Sequence, residues 1–228
     1  MSASKKEFYT GVGLMAGFLA VLVVLFLPIF GGHNALNALD SLYNTISKGS
    51  AYYIPKLKKE AAEYAGKEID VKFAMSDENS AKETEPLFVK SGATVTVSGA
   101  LMSVKGDIGK IISNCLDDSD DMFHNQGEKI KAKYNCDERK VLVNWWNALK
   151  AVDKDLKKQE KFAEAKPIAM VMKKGVECSY NYYKVNPQNI SDRWAIVLFS
   201  LVFYVVYTVW YGFAIMFMFE GAGFKLEH

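Results

Sequence analysis

Residues 194–219 read WAIVLFSLVFYVVYTVWYGFAIMFMF, an uncharged run bounded by Arg193 and Glu220. A helix rises about 1.5 Å per residue, so this run is long enough to cross a hydrocarbon layer roughly 30 Å thick. Trp194 and Tyr211 suit the headgroup level, where amphipathic rings collect. Tyr204, Tyr207 and Trp210 fall nearer the middle, where lipid offers no hydrogen-bond partner. Their O–H and N–H groups are therefore expected to meet another helix, from this chain or from another subunit.

A second uncharged apolar stretch covers residues 8–30, and no charge occurs between Glu7 and Asp40. Lys5 and Lys6 precede it, as in a secretory signal, but its apolar core is too long for such a segment and no small-residue cleavage site follows. It reads as an uncleaved anchor. Gly13 and Gly17 stand four apart within it, the spacing that lets two helix backbones approach closely. An even number of spans puts both termini on one side. Lys5, Lys6 and Lys225 favour the cytoplasm for the tails at 1–7 and 220–228. The expected architecture is a mainly α membrane protein. Transmembrane helices at 8–30 and 194–219 flank a small helix-rich α+β extracytoplasmic domain at 31–192, periplasmic if the cell has two membranes.

The mean hydropathy of −0.02 hides this segregation. All but four of the 28 basic and all but three of the 26 acidic residues lie in 31–192, which is close to neutral. Such a balance leaves neither a nucleic-acid footprint nor a polybasic lipid-binding patch. With Arg139 and Arg193 the only arginines, an Arg cluster for phosphate or carboxylate ligands is excluded.

Within the central domain, 33–48 and 54–64 carry apolar residues at helical spacing, and Pro55 suits a first turn. IDVKF (69–73) and ATVTV (93–97) alternate with period two and read as strands. The acidic segment 76–85 reads as a loop. Helical periodicity returns at Val104, Ile108, Ile111, Ile112 and Cys115. A polar segment then leads to a long helix over 137–162, N-capped by Asp137, with Val141, Trp145, Ala148, Leu149, Val152 and Leu156 inward. A last helix, with Pro167 in its first turn, turns Ile168, Val171, Met172, Gly175, Cys178 and Tyr182 inward and ends before Pro187.

Cys115, Cys136 and Cys178 form neither a CxxC motif nor a zinc-ligand spacing. In an oxidising compartment Cys115 with Cys136 is the expected disulfide and Cys178 a buried thiol. If 137–162 and 166–184 form an antiparallel hairpin, Cys136 and Cys178 stand roughly 20 Å apart in height, beyond disulfide reach. The acidic run at 117–121 offers a weak calcium candidate. Counting from Asp117, oxygen-bearing Ser119, Asp121, Asn125 and Glu128 fall at EF-hand positions 3, 5, 9 and 12, but Met122 stands where the turn requires Gly. The bland reading is a solvated acidic turn. His33, His124 and His228 are isolated from each other and from any nucleophile. Leu226-Glu227-His228 reads as the start of an affinity tag and is set aside.

No catalytic, cofactor or nucleic-acid motif emerges, and an enzyme is not expected. The reading favoured is an accessory or structural subunit of a larger complex in the inner (plasma) membrane, its extracytoplasmic domain docking other membrane subunits. A hetero-complex is favoured over a homo-oligomer. A sensor or transducer lacking its own output module is one alternative. Another is a homo-oligomeric scaffold with the two-span layout of polysaccharide chain-length regulators, although their proline-rich segment beside the second span is represented only by Pro187.

Overall fold

The computed structural model describes residues 5–224. In chain order its elements are α1 (Lys5–Phe26), α2 (Ala35–Ser50), α3 (Ile54–Ala62), β1 (Glu68–Ala74), α4 (Glu78–Lys90), β2 (Thr94–Ser98), β3 (Leu101–Asp107), α5 (Ile108–Phe123), α6 (Gly127–Tyr134), α7 (Glu138–Lys158), α8 (Phe162–Met170), a π-helical stretch (Val171–Glu177), α9 (Cys178–Tyr182) and α10 (Ile190–Gly221). The chain is mostly helical, with one small sheet and two long apolar helices, α1 and α10, that could span a membrane. It divides into two compact units, Met1–Gly49 with Pro187–His228, and Ser50–Asn186. Nearly all of α2, which the sequence reading assigns to the central domain, thus groups with the long helices.

In the first unit, α1 stops at Phe26, two residues before Pro28, where the proline ring disfavours helical backbone in the residue ahead of it. The chain then reverses through Phe30-Gly31-Gly32-His33. Phe30 and His33 exchange backbone hydrogen bonds of 3.0 and 3.2 Å, while Gly31 and Gly32 take φ of 63° and 84°. Two consecutive positive φ angles are costly for any residue with a Cβ, which is why glycine fills both positions. The Asn34 side chain accepts from Asn37 N at 2.8 Å, as an N-cap for α2 does. Tyr43 of α2 bonds the Ser200 hydroxyl of α10 at 2.6 Å.

The second unit is built on an antiparallel sheet in the order β1-β3-β2. β1 alternates as expected, with Ile69, Val71 and Phe73 buried and its other residues exposed. These three, with Met102 and Val104 of β3, share one core with Leu87 and Phe88 of α4, Ile111, Ile112 and Cys115 of α5, and Trp145, Ala148, Leu149 and Val152 of α7. The outer edge of β1 is closed by α7. Lys72 N donates to the Asp155 carboxylate at 3.0 Å, and the Gln159 amide donates to Asp70 O at 2.9 Å. Those side chains satisfy backbone groups that a free sheet edge would offer to another chain.

Three local expectations need correction. Residues 78–90 form α4 instead of a loop, because Asp77 caps the start by accepting from Ser80 N at 2.7 Å and Ala81, Thr84, Leu87 and Phe88 make a buried face. Val104 is a strand residue: the period changes from two to 3.6 only at Asp107, whose carboxylate accepts from Gly109 N and Lys110 N and starts α5. Finally, the inner face of the last helix shifts at the π-helical stretch. Ile168, Val171, Met172 and Gly175 are buried as expected, but beyond them Val176, Ser179 and Tyr183 turn inward, ahead of Cys178 and Tyr182. A π-turn holds an extra residue, so the stripe advances by one position.

Candidate functional site: the paired apolar helices and the Asp118 cluster

α1 and α10 lie antiparallel, and small residues allow the approach. A Cβ on Gly11 would lie 2.6 Å from Met218 N and 2.9 Å from Ala214 O, and one on Gly17 would lie 3.0 Å from the Trp210 ring. Around Gly13 nothing comes within 4 Å. The close contact is therefore made at Gly11 and Gly17, not by the Gly13/Gly17 pair. Gly11 was recognisable in the sequence only as one more glycine, since helical phase relative to α10 decides which glycine faces the partner.

Two of the three central aromatics use their polar groups across this contact. Trp210 Nε1 donates to Leu14 O at 3.0 Å, and the Tyr207 hydroxyl donates to Phe18 O at 2.8 Å. The Tyr207 ring also stacks on Phe18, with centroids 4.2 Å apart. Tyr204 differs. Its side chain is 69% exposed, and among the described residues its hydroxyl meets no hydrogen-bond partner. Leu201, three residues before it, and Tyr211, seven after it, are exposed on the same side of the helix.

In the second unit the acidic run lies on α5, not in a turn, and its carboxylates diverge because successive helical residues point about 100° apart. Asp117 pairs with Lys58 at 2.8 Å and Asp121 with Lys129 at 3.2 Å. The buried Ser119 hydroxyl donates to Cys115 O, the Asn125 carboxamide oxygen accepts from Lys184 N, and Glu128 sits in the first turn of α6. The five candidate calcium ligands are thus not brought together, and among the described residues no three His, Cys, Asp or Glu side chains are grouped to hold a metal.

Asp118 points into the core and is almost fully buried. Its carboxylate accepts from Lys133 Nζ at 2.6 Å, the Tyr134 hydroxyl at 2.6 Å and Trp145 Nε1 at 2.8 Å. Burial pushes the Asp118 carboxyl above the usual range, and the Lys133 and Tyr134 bonds oppose this without cancelling it. Burial, with the neighbouring Asp118 charge, likewise pushes the Tyr134 phenol far up. Asn114 extends the cluster to Leu87 O and Ser91, so α4, α5, α6 and α7 are joined through one polar node. Both carboxylate oxygens of Asp118 are engaged from within the fold, and a node so engaged specifies packing. On the same helix Asp120 accepts from Tyr52 and Lys58, and His124 Nδ1 lies 3.0 Å from it.

The cysteines stand as three free thiols. Cys115 is sealed in the core, where burial pushes its thiol well above the ordinary value, and Cys178 donates to Ala51 O at 3.2 Å. The expected bridge from Cys115 to Cys136 is not formed, because Cys115 lies on the inward face of α5. His33 closes the Gly31-Gly32 turn; His228 lies outside the described residues.

No family model, curated protein or solved structure matches the chain.

Proposed function

We propose that this chain is a non-enzymatic, two-span subunit of a larger membrane assembly, anchored by α1 and α10, with the unit at Ser50–Asn186 docking partner subunits. The observation that carries this reading is Tyr204. α10 hands the polar groups of Tyr207 and Trp210 to α1, yet leaves the Tyr204 hydroxyl, near the middle of the charge-free run 194–219, without a partner among the described residues. In hydrocarbon an unmet hydroxyl is costly, and a helix of another subunit supplies the acceptor that lipid lacks. The exposed Leu201 and Tyr211, on the same side of the helix, offer the apolar part of the same contact. The lysines at 5, 6 and 225 favour a cytoplasmic position for the tails, and hence an extracytoplasmic central unit in the plasma membrane.

The test is extraction of the native protein in mild detergent, followed by native gel separation and mass spectrometry. Stoichiometric travel with different membrane proteins is the expected result. A homo-oligomer alone would replace the reading with that of a scaffold, and a bare monomer would overturn it.

A further inference from the structure

Most apolar side chains on the helices of the second unit face the core, but one row on α7 faces outward. Arg139, Val143, Trp146 and Lys150 recur at intervals of four, three and four residues, which places them on one stripe spanning three turns, or roughly 16 Å. Val143 is 40% exposed and Trp146 half-buried. With Leu142 below and Val176, Glu177 and Tyr180 on the opposite wall, they line an open trough of about 310 Å³ between α7 and the returning helix. The tandem Trp145-Trp146 divides its two rings between core and trough, since adjacent helical residues cannot share a face.

The ends of the trough carry its charge. The Arg139 guanidinium lies 5.7 Å from the Tyr180 ring centroid and 5.6 Å from that of Tyr183, and Lys150 Nζ lies 4.7 Å from the Trp146 ring. The aromatic faces hold both cations at the rim. Among the described residues neither cation has an ion-pair partner. Glu177, the charged residue of the lining itself, stands on the opposite wall, and the two cations flank the lining on the α7 side.

We propose that this trough receives an acidic amphipathic helix of a partner subunit. The occupant presents two carboxylates eleven residues apart toward Arg139 and Lys150, and apolar side chains between them toward Val143, Trp146 and Tyr180. An apolar floor with charged ends is the arrangement by which a groove reads a helix through anchors three and four residues apart, with the charges setting orientation. This proposal rests on the subunit reading above and names the chemistry of the docking partner.

The test is photo-crosslinking in native membranes. A benzophenone amino acid replaces Val143 in one full-length variant and Tyr204 in another, and crosslinked peptides are sequenced by mass spectrometry. The expected product at Val143 is a segment of a different protein with apolar residues at helical spacing and excess Asp and Glu. Its yield falls on the order of tenfold when Arg139→Glu and Lys150→Glu are added, with helicity by circular dichroism unchanged. No product at Val143, or a lipid, a second copy of this chain or a basic segment there, overturns the proposal; so does a yield indifferent to the charge reversal. A Tyr204 product with another membrane protein alongside failure at Val143 would sink the trough and leave the subunit reading standing. Failure at both positions would remove both.

Discussion

Trp210 donates its indole N–H to the backbone carbonyl of Leu14 at 3.0 Å, and its ring lies against Gly17. One side chain thus supplies both a polar and a packing contact between the two long helices. A carbonyl at Leu14 already accepts a bond within α1, so its second lone pair serves Trp210. This pairing sets the first expectations.

Gly11→Val is expected to open the helix pair, because the new side chain collides with the backbone at Met218 and Ala214, whereas Gly13→Val points into open space. Spin labels at the exposed Tyr9 and Phe219 report it: the distance distribution should broaden in the first variant and match the parent in the second.

Tyr207→Phe removes the hydroxyl bond to Phe18 O but keeps the ring stack, so it should weaken pairing by only about 0.6–1.7 kcal/mol. Tyr204→Phe should leave the isolated chain unchanged. Under the proposed function it should loosen association with partner subunits, measured as retention on a native gel. Equal effects of both substitutions on the isolated chain would contradict this division of roles.

Asp118→Ala strips acceptors from Lys133, Tyr134 and the fully buried Trp145. Lys133 is about one-third exposed and can turn to water; Trp145 cannot. A loss of about 2–4 kcal/mol is expected in a urea melt of the full chain in detergent. Asp118→Asn keeps one acceptor oxygen and should lose less.

Asp107 makes stability pH-dependent. Burial raises its pKa, but backbone N–H donors from Gly66, Lys110 and Gly109 outweigh burial and hold the carboxyl below its ordinary value of 3.8. A folded pKa below the unfolded one means that the stabilisation is present above pH 3.8 and is lost as pH falls through the folded value. Asp107→Ala should cost about 1 kcal/mol at neutral pH and flatten the acid limb of the stability curve. An unchanged acid limb would refute the capping role.

Alkylation by iodoacetamide under native conditions should modify Cys136 well before Cys115. Burial raises both thiols, but Cys136 is partly exposed while Cys115 is sealed and reacts only on unfolding. Mass spectrometry of timed digests reads the order, and gel mobility should be the same with and without reductant.

The long helices were legible in the residues because an unbroken apolar run leaves few alternatives, and β1 because Ile69, Val71 and Phe73 alternate with charges. α4 was hidden by its polar composition and by Pro86, although Asp77 and the spacing of Ala81, Thr84, Leu87 and Phe88 carried the signal. β3 was masked because its Val104 also fits the helical period of α5. For the candidate sites, Tyr207 and Trp210 could be named from their depth in the run, whereas Tyr204 could not be told apart from them.

Composition and periodicity are local properties, so they specified two long apolar helices and a mixed central unit. Which carboxylate of the 117–121 run is buried, which glycine meets α10, where the last helix changes face and which tryptophan of the 145–146 pair faces outward depend on helical phase against a neighbour. Those choices are set by packing, because a rotation of one residue exchanges core for surface while leaving the sequence pattern almost the same.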